Sequence, residues 1–202
     1  MPCSCVRVPH GPNAAVTWEE TVSSDDIIAG ARRGDAWALD ALYRSYSPQV
    51  LGYMRGLRAP DPEAVTGDVF VSVVRDVASF VGGEADFRSW LFTIAHRRAV
   101  DAFRRGSRRR ESTEEPLSLG EAIEARDDVA EEVATHVTLA PLVAALDALT
   151  TDQRAVMLLR VIADRSVAET AAILGKNAGA VKTLQRRAVS SLRRALSLQA
   201  VS

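Results

Sequence analysis

The chain has 202 residues, of which 47% are hydrophobic, 25% charged and 5% aromatic, with a net charge of −1. These values fit one globular domain or two small ones, and they argue against wholesale disorder. No apolar run approaches the roughly 18 residues that a membrane-spanning helix requires, and no secretory leader pattern opens the chain.

Residues 1–23 contain Pro2, Pro9, Gly11 and Pro12 and read as a flexible tail. Cys3 and Cys5 lie in that tail. They cannot staple a fold from there, two ligands do not complete a zinc site, and a reduced cytoplasmic setting is the default. Ser24-Asp25-Asp26 is a helix start, with Gly34 breaking the apolar pattern into two helices. Pro48 is expected near the start of a third helix carrying Val50, Tyr53, Met54 and Leu57. Ala59-Pro60-Asp61-Pro62 is a turn. Val65, Val69, Phe70, Val73, Val74 and Val77 then recur at helical rather than strand spacing. Gly82-Gly83 ends that unit, and Phe87 to Arg105 reads as one long amphipathic helix.

The near-zero net charge hides strong segregation. From Arg88 to Arg110 there are eight arginines against Asp101 alone. From Glu111 to Glu132 nine acids face only Arg126, and from Thr150 onward nine basic residues face three acids. Two basic blocks flanking an acidic one are candidate polyanion-binding surfaces. The expected domains are therefore 24–106 and 139–202, joined by an acidic linker over 107–138, in an all-α fold.

The second unit carries sharp punctuation. Thr150 precedes Gln153 by three, and Ser166 precedes Glu169 by three, so both read as capping boxes. Gly175 supplies a turn and Asn177 caps the last helix. Short helix, glycine turn and second helix make a helix-turn-helix. On the last helix Val181, Leu184, Ala188 and Leu192 fall on one side, and Lys182, Thr183, Arg186, Arg187 and Ser190 on the other. Small residues at Ala178, Gly179 and Ala180 allow close backbone approach to a phosphate. The positive outer face favours nucleic acid over a protein partner.

Phe87-Arg88-Ser89-Trp90-Leu91-Phe92-Thr93-Ile94-Ala95-His96-Arg97-Arg98-Ala99-Val100-Asp101 resembles the promoter-melting segment of extracytoplasmic-function (ECF, group four) sigma factors. Leu149 to Arg154, Ser166 to Gly175 and Val181 to Ala188 resemble region four of the same family. The resemblance implies a bacterial initiation factor without a catalytic centre, metal or cofactor. Its partners would be core RNA polymerase, promoter DNA and an anti-sigma factor, with no direct membrane insertion. Lys176, Asn177, Ala178, Gly179, Ala180, Lys182, Thr183, Arg186 and Arg187 would then meet the minus-thirty-five element. Arg88, Trp90, Arg97, Arg98, Asp101, Arg104 and Arg105 would serve the minus-ten element and melting. Asp68, Val69, Phe70, Ser72 and Arg75 would bind polymerase, and the loop from Ser79 to Asp86 would capture a flipped base. Two departures from the family pattern stand out. Ala64 and Gly67 replace an acid and a glutamine in the polymerase-binding helix. Ala180 and Leu184 stand where the recognition helix often has threonine and arginine, so promoter sequence does not transfer. Two other readings stay open: a helix-turn-helix regulator acting as a dimer on an operator, and a protein-interaction module such as an adaptor for another sigma factor.

Overall fold

The computed structural model describes residues 22–111 and 146–199. The N-terminal tail with Cys3 and Cys5, and most of the expected acidic linker, lie outside the described residues. Among the described residues there are seven α-helices and no strand. The N-terminal unit holds α1 (Ser24–Arg33), α2 (Ala36–Leu57), α3 (Pro62–Asp76), a 3₁₀ turn at Val77–Ser79, and α4 (Glu84–Glu111). The C-terminal unit holds α5 (Thr151–Val161), α6 (Val167–Leu174) and α7 (Ala178–Gln199).

Local chemistry explains most of the boundaries. The cap of α1 is Ser23 rather than Ser24: its hydroxyl accepts from Asp26 N, and the Asp26 carboxylate accepts from Ser23 N. Thr150 and Ser166 form capping boxes with Gln153 and Glu169 as their spacing predicts. Asn177 Oδ1 accepts from Ala180 N at 2.8 Å and so opens α7. Gly175 closes α6 in the left-handed region, at φ 62°, where a side chain would strain.

Two helices depart from expectation. Pro48 does not start a helix but lies inside the 22-residue α2. Proline removes one backbone donor there, yet Tyr46, Val50, Tyr53 and Met54 on either side are buried, and that burial carries the helix through. α4 begins at Glu84, three residues before Phe87, and continues to Glu111. Its first turn is helped by the Asp25 carboxylate, which accepts from Glu84 N at 3.0 Å, and by Glu84 and Asp86 at the positive end of the helix.

The main apolar cluster is built on α2, α3 and α4. Tyr53, Met54, Phe87, Leu91 and Phe92 are its largest fully enclosed side chains. Phe92 meets the Tyr53 ring edge-on at 5.6 Å. This cluster does not stop at the unit boundary. Ala155, Leu158, Leu159, Ala163 and Ile173 from α5, the turn after it and α6 belong to it. A smaller cluster of Val156, Ala171 and Val181 holds α5, α6 and α7 together.

Candidate nucleic-acid interface

The residues expected to act on DNA fall on two surfaces. On α7, Val181 and Ala188 are fully buried, whereas Lys182, Arg186 and Arg187 are exposed. The amphipathic split read from the spacing is therefore present in the fold. A shallow trough of about 510 Å³ runs along the outer face, lined by Lys182, Gln185, Arg186, Val189, Ser190, Arg193 and Arg194. Arg193 and Arg194 were missed by sequence reasoning, although they continue the stripe about two helical turns beyond Arg186 and Arg187. The helix contains no acid. Of the other expected residues, Ala178 and Gly179 are exposed at its N-terminus. Lys176 instead reaches back to Asp152, with Nζ 2.9 Å from the carboxylate.

α4 treats its cations differently. Arg97, Arg104 and Arg105 are exposed. Arg98 is half-buried and donates to Ser72 Oγ on α3, at 2.7 Å through Nη2 and 3.1 Å through Nε. Arg88 points toward Gln49 on α2 at a long 3.5 Å, with its Nε enclosed and without a partner. Arg104 lies 3.9 Å from Asp101, and Arg105 lies 3.7 Å from Asp68 on α3. Trp90 is half-buried, tilted against Phe80 at 5.3 Å and Phe87 at 5.6 Å, so core packing holds it in place. Phe92 is fully buried.

The loop before α4 is shorter than the expected Ser79–Asp86. Ser79 ends the 3₁₀ turn and Asp86 is already helical, which leaves Phe80 to Gly83. Phe80 is buried and anchors the loop, while Val81 at its tip is 83% exposed. An exposed valine directly before Gly82-Gly83 was the missed signal.

The third set, on α3, divides sharply. Val69, Phe70 and Ser72 are buried, because the helix turns them toward α2 and α4. Ser72 Oγ donates to Asp68 O and accepts from Arg98. The exposed face includes Ala64, Gly67, Asp68, Arg75 and two valines, one of which the sequence reading places in the apolar stripe and one of which it omits: Val74 at 53% and Val71 at 69% exposure. Among the described residues there is no group of His, Cys, Asp and Glu arranged to hold a metal, and no helix long and apolar enough to cross a membrane.

The Sigma-70 region 2 family matches residues 42–109, and the Sigma-70 region 4 family matches residues 139–192. The chain is 35% identical over 174 residues to the ECF RNA polymerase sigma factor BldN of Streptomyces coelicolor, covering 85% of this chain and 65% of BldN. It is 31% identical to the ECF RNA polymerase sigma factor SigK of Mycolicibacterium vanbaalenii, covering 88% of this chain and 91% of that protein. In fold it resembles the sigma factor RpoE of Bartonella quintana, solved with the anti-sigma factor NepR. That match has a TM-score of 0.64 at 22% identity, over 78% of this chain and 96% of the other. CnrH, solved with the cytosolic domain of CnrY, matches with a TM-score of 0.61 at 24% identity, over 87% and 97%. With both sigma regions in order along one chain, and relatives matched along most of their length, the protein belongs to the ECF RNA polymerase sigma factors.

Proposed function

We propose that this chain binds core RNA polymerase and directs promoter-specific initiation from the cytoplasm, as a subunit without chemistry of its own. The observation that carries this reading is the pairing of an acid-free basic recognition helix, α7, with a second arginine-bearing helix, α4, in a separate sigma region. A dimeric operator-binding regulator needs only the first of these.

In this reading Arg186 and Lys182 reach base edges in the major groove of the minus-thirty-five element, where a bidentate contact discriminates by about 1–3 kcal/mol. Arg187, Thr183, Asn177 and the backbone at Ala178–Gly179–Ala180 position the helix on phosphates. Arg97, Arg104 and Arg105 hold the minus-ten duplex and the melted strand, and Val81 offers an apolar tip beside an unstacked base. Arg88 and Arg98 act from behind, by fixing α4 against α2 and α3, and Trp90 does so by packing on Phe80 of the preceding loop. The polymerase surface is Asp68, Val71, Val74 and Arg75 on the outer face of α3. Control comes from an anti-sigma factor, a partner of the kind that the similarly folded RpoE of Bartonella quintana was solved with.

Transcription with purified core polymerase is the direct test. The protein should confer initiation at defined start sites on DNA that core alone ignores. Retardation of a palindromic operator by a dimer, with no effect on core polymerase, would replace this reading with the regulator.

A further inference from the structure

The second half of α7 carries cations that reading bases does not use. Residues 186–190 run Arg-Arg-Ala-Val-Ser and residues 193–197 run Arg-Arg-Ala-Leu-Ser, so one five-residue pattern recurs after seven positions. Seven residues are about 1.9 helical turns. The second copy therefore returns to within about 20° of the first, about 10.5 Å farther along the axis. Ala188 is buried in the first copy and Ala195 half-buried in the second, so both turn the same side inward. Outward, Arg193 continues the row of Lys182 and Arg186, and Arg194 continues the row of Arg187, all five being exposed.

The protein's own contacts do not account for Arg193 and Arg194. Among the described residues neither is paired with an acid, and the Arg194 guanidinium reaches Ser191 Oγ at a long 3.5 Å. The helix dipole favours cations within the last turn, and α7 has no basic residue in its last turn. The trough of about 510 Å³ that begins at Lys182 and ends at Arg194 has no acid in its lining, and Ser190 lies in it between the two arginine pairs.

The dimensions of duplex DNA fix what this stretch can meet. The major groove is about 12 Å wide and about 8.5 Å deep, and a recognition helix puts its N-terminal residues on the base edges. Lys182 and Arg186 are about 6 Å apart along the axis and fit inside the groove. Arg193 stands about 16.5 Å beyond Lys182, past the width of the groove, where the phosphate wall is within reach and base edges are not.

We propose that Ser190, Arg193 and Arg194 form a phosphate clamp on the duplex beside the minus-thirty-five element, extending the α7 interface past the bases it reads. The identity of that element rests on the sigma-factor reading. Charge selects the occupant: an acid-free row of guanidinium groups fits the oxygens of a nucleic-acid backbone bidentately, and the Ser190 hydroxyl adds a neutral donor. Phosphates are alike at every sequence, so the clamp adds affinity without base preference.

Salt dependence tests this. The full-length chain with core polymerase is titrated with promoter DNA at several salt concentrations, as parent, as Arg193→Ala/Arg194→Ala and as Arg193→Lys/Arg194→Lys. The alanine pair should lower affinity about tenfold at about 0.15 M salt and lower the log–log salt slope by about two units. The lysine pair should keep the parent slope. Single-base variants of the minus-thirty-five element should rank in the same order for all three chains, whereas Arg186→Ala changes the order. A neutral methylphosphonate placed at successive positions flanking the element should, at one of them, weaken the parent and leave the alanine pair unaffected. The parent slope in the alanine pair, a lysine pair with the slope of the alanine pair, or a changed base ranking would each overturn the clamp. An alanine pair that holds duplex like the parent but loses core polymerase in the absence of DNA would overturn it as well, by making this face a protein-docking surface. A parent chain that initiates nowhere with core polymerase would overturn the sigma-factor reading instead, and the salt slopes of the three chains on bare duplex would still decide the clamp.

Discussion

α4 and α7 both carry arginines along a helix of more than twenty residues, but the fold handles the two sets in opposite ways. On α4 two cations are drawn into the structure, Arg98 onto Ser72 and Arg88 toward Gln49, and two of the exposed ones have acids at hand, Arg105 near Asp68 and Arg104 near Asp101. On α7 the cations stand clear of the core, with no acid anywhere in the helix to balance them. The reason lies in what each helix packs against. α4 contacts α1, α2, α3 and α6, so most of its circumference is spoken for, whereas α7 leans on α5 and α6 along one side only. A helix that supports the core offers DNA a pre-set surface. A helix at the edge offers side chains still free to choose a base.

The largest effect should therefore come from the interior of α4. Phe92→Ala removes a ring enclosed by Tyr53 and should cost about 3–5 kcal/mol in urea unfolding. Leu192→Ala, on the half-buried side of α7, should cost much less. Comparable losses would mean that α7 is as deeply embedded as α4. Next comes Arg186→Ala, which should leave stability within about 0.5 kcal/mol and weaken discrimination within the minus-thirty-five element by about 1–3 kcal/mol. Binding isotherms at several salt concentrations give the second half of that test. Lys182→Ala should reduce the salt slope by about one unit if it contacts phosphate.

The contrast within α4 is finer. Arg98→Ala breaks two hydrogen bonds to a buried hydroxyl and should cost about 1–2 kcal/mol of stability. Arg97→Ala, at an exposed neighbour, should leave stability unchanged. It should instead lower open-complex yield on duplex promoter, with a smaller loss on a pre-melted template, read by permanganate footprinting. If Arg98→Ala left stability intact and reproduced the Arg97 pattern, the tethered arginine would be a direct DNA contact after all.

Sequence patterns carried the architecture because local rules dominate it. Capping boxes at Thr150 and Ser166, the left-handed glycine at 175 and the sidedness of α7 follow from residues within one or two turns. What escaped depends on partners distant in sequence. Pro48 reads as a helix start until the buried residues on both sides of it are seen to continue through it. Val69, Phe70 and Ser72 look like a polymerase motif, yet the orientation of α3 buries them and presents Val71 and Val74. The family pattern names a stretch of helix, and only packing says which face of that stretch is outward. Arg165 was likewise invisible as a feature, because its partners Ala85 and Ser89 lie some eighty positions away.

The smallest expected effect concerns acidity where the C-terminal unit packs on the N-terminal one. His96 on α4 lies against Tyr53 of α2, with 3.0 Å between the hydroxyl and Nδ1, and faces Asp152 of α5 and Lys176 after α6. Burial is the main influence on the imidazole and lowers its pKa below the ordinary value. Asp152 pulls the other way, and Lys176 adds to the lowering. A histidine held neutral in this way stabilises the packing of the two units fully above the ordinary imidazole range, near about pH 6.5. That contribution is lost as pH falls from there through the depressed value, because the protonated ring prefers water. Tyr53 stays protonated across this window, since burial raises its pKa. Glu169 stays charged: burial pushes its carboxyl up, but hydrogen bonds from Ser166 and Ser89 and the Arg165 charge outweigh it and hold the pKa at about 2. Any loosening between pH 7 and pH 5.5 should therefore trace to His96 and not to the Arg165–Glu169 pair. Scattering at the two pH values should show a modest expansion of the native chain, and His96→Gln should flatten it. An expansion that persisted undiminished in His96→Gln would place the titrating group elsewhere.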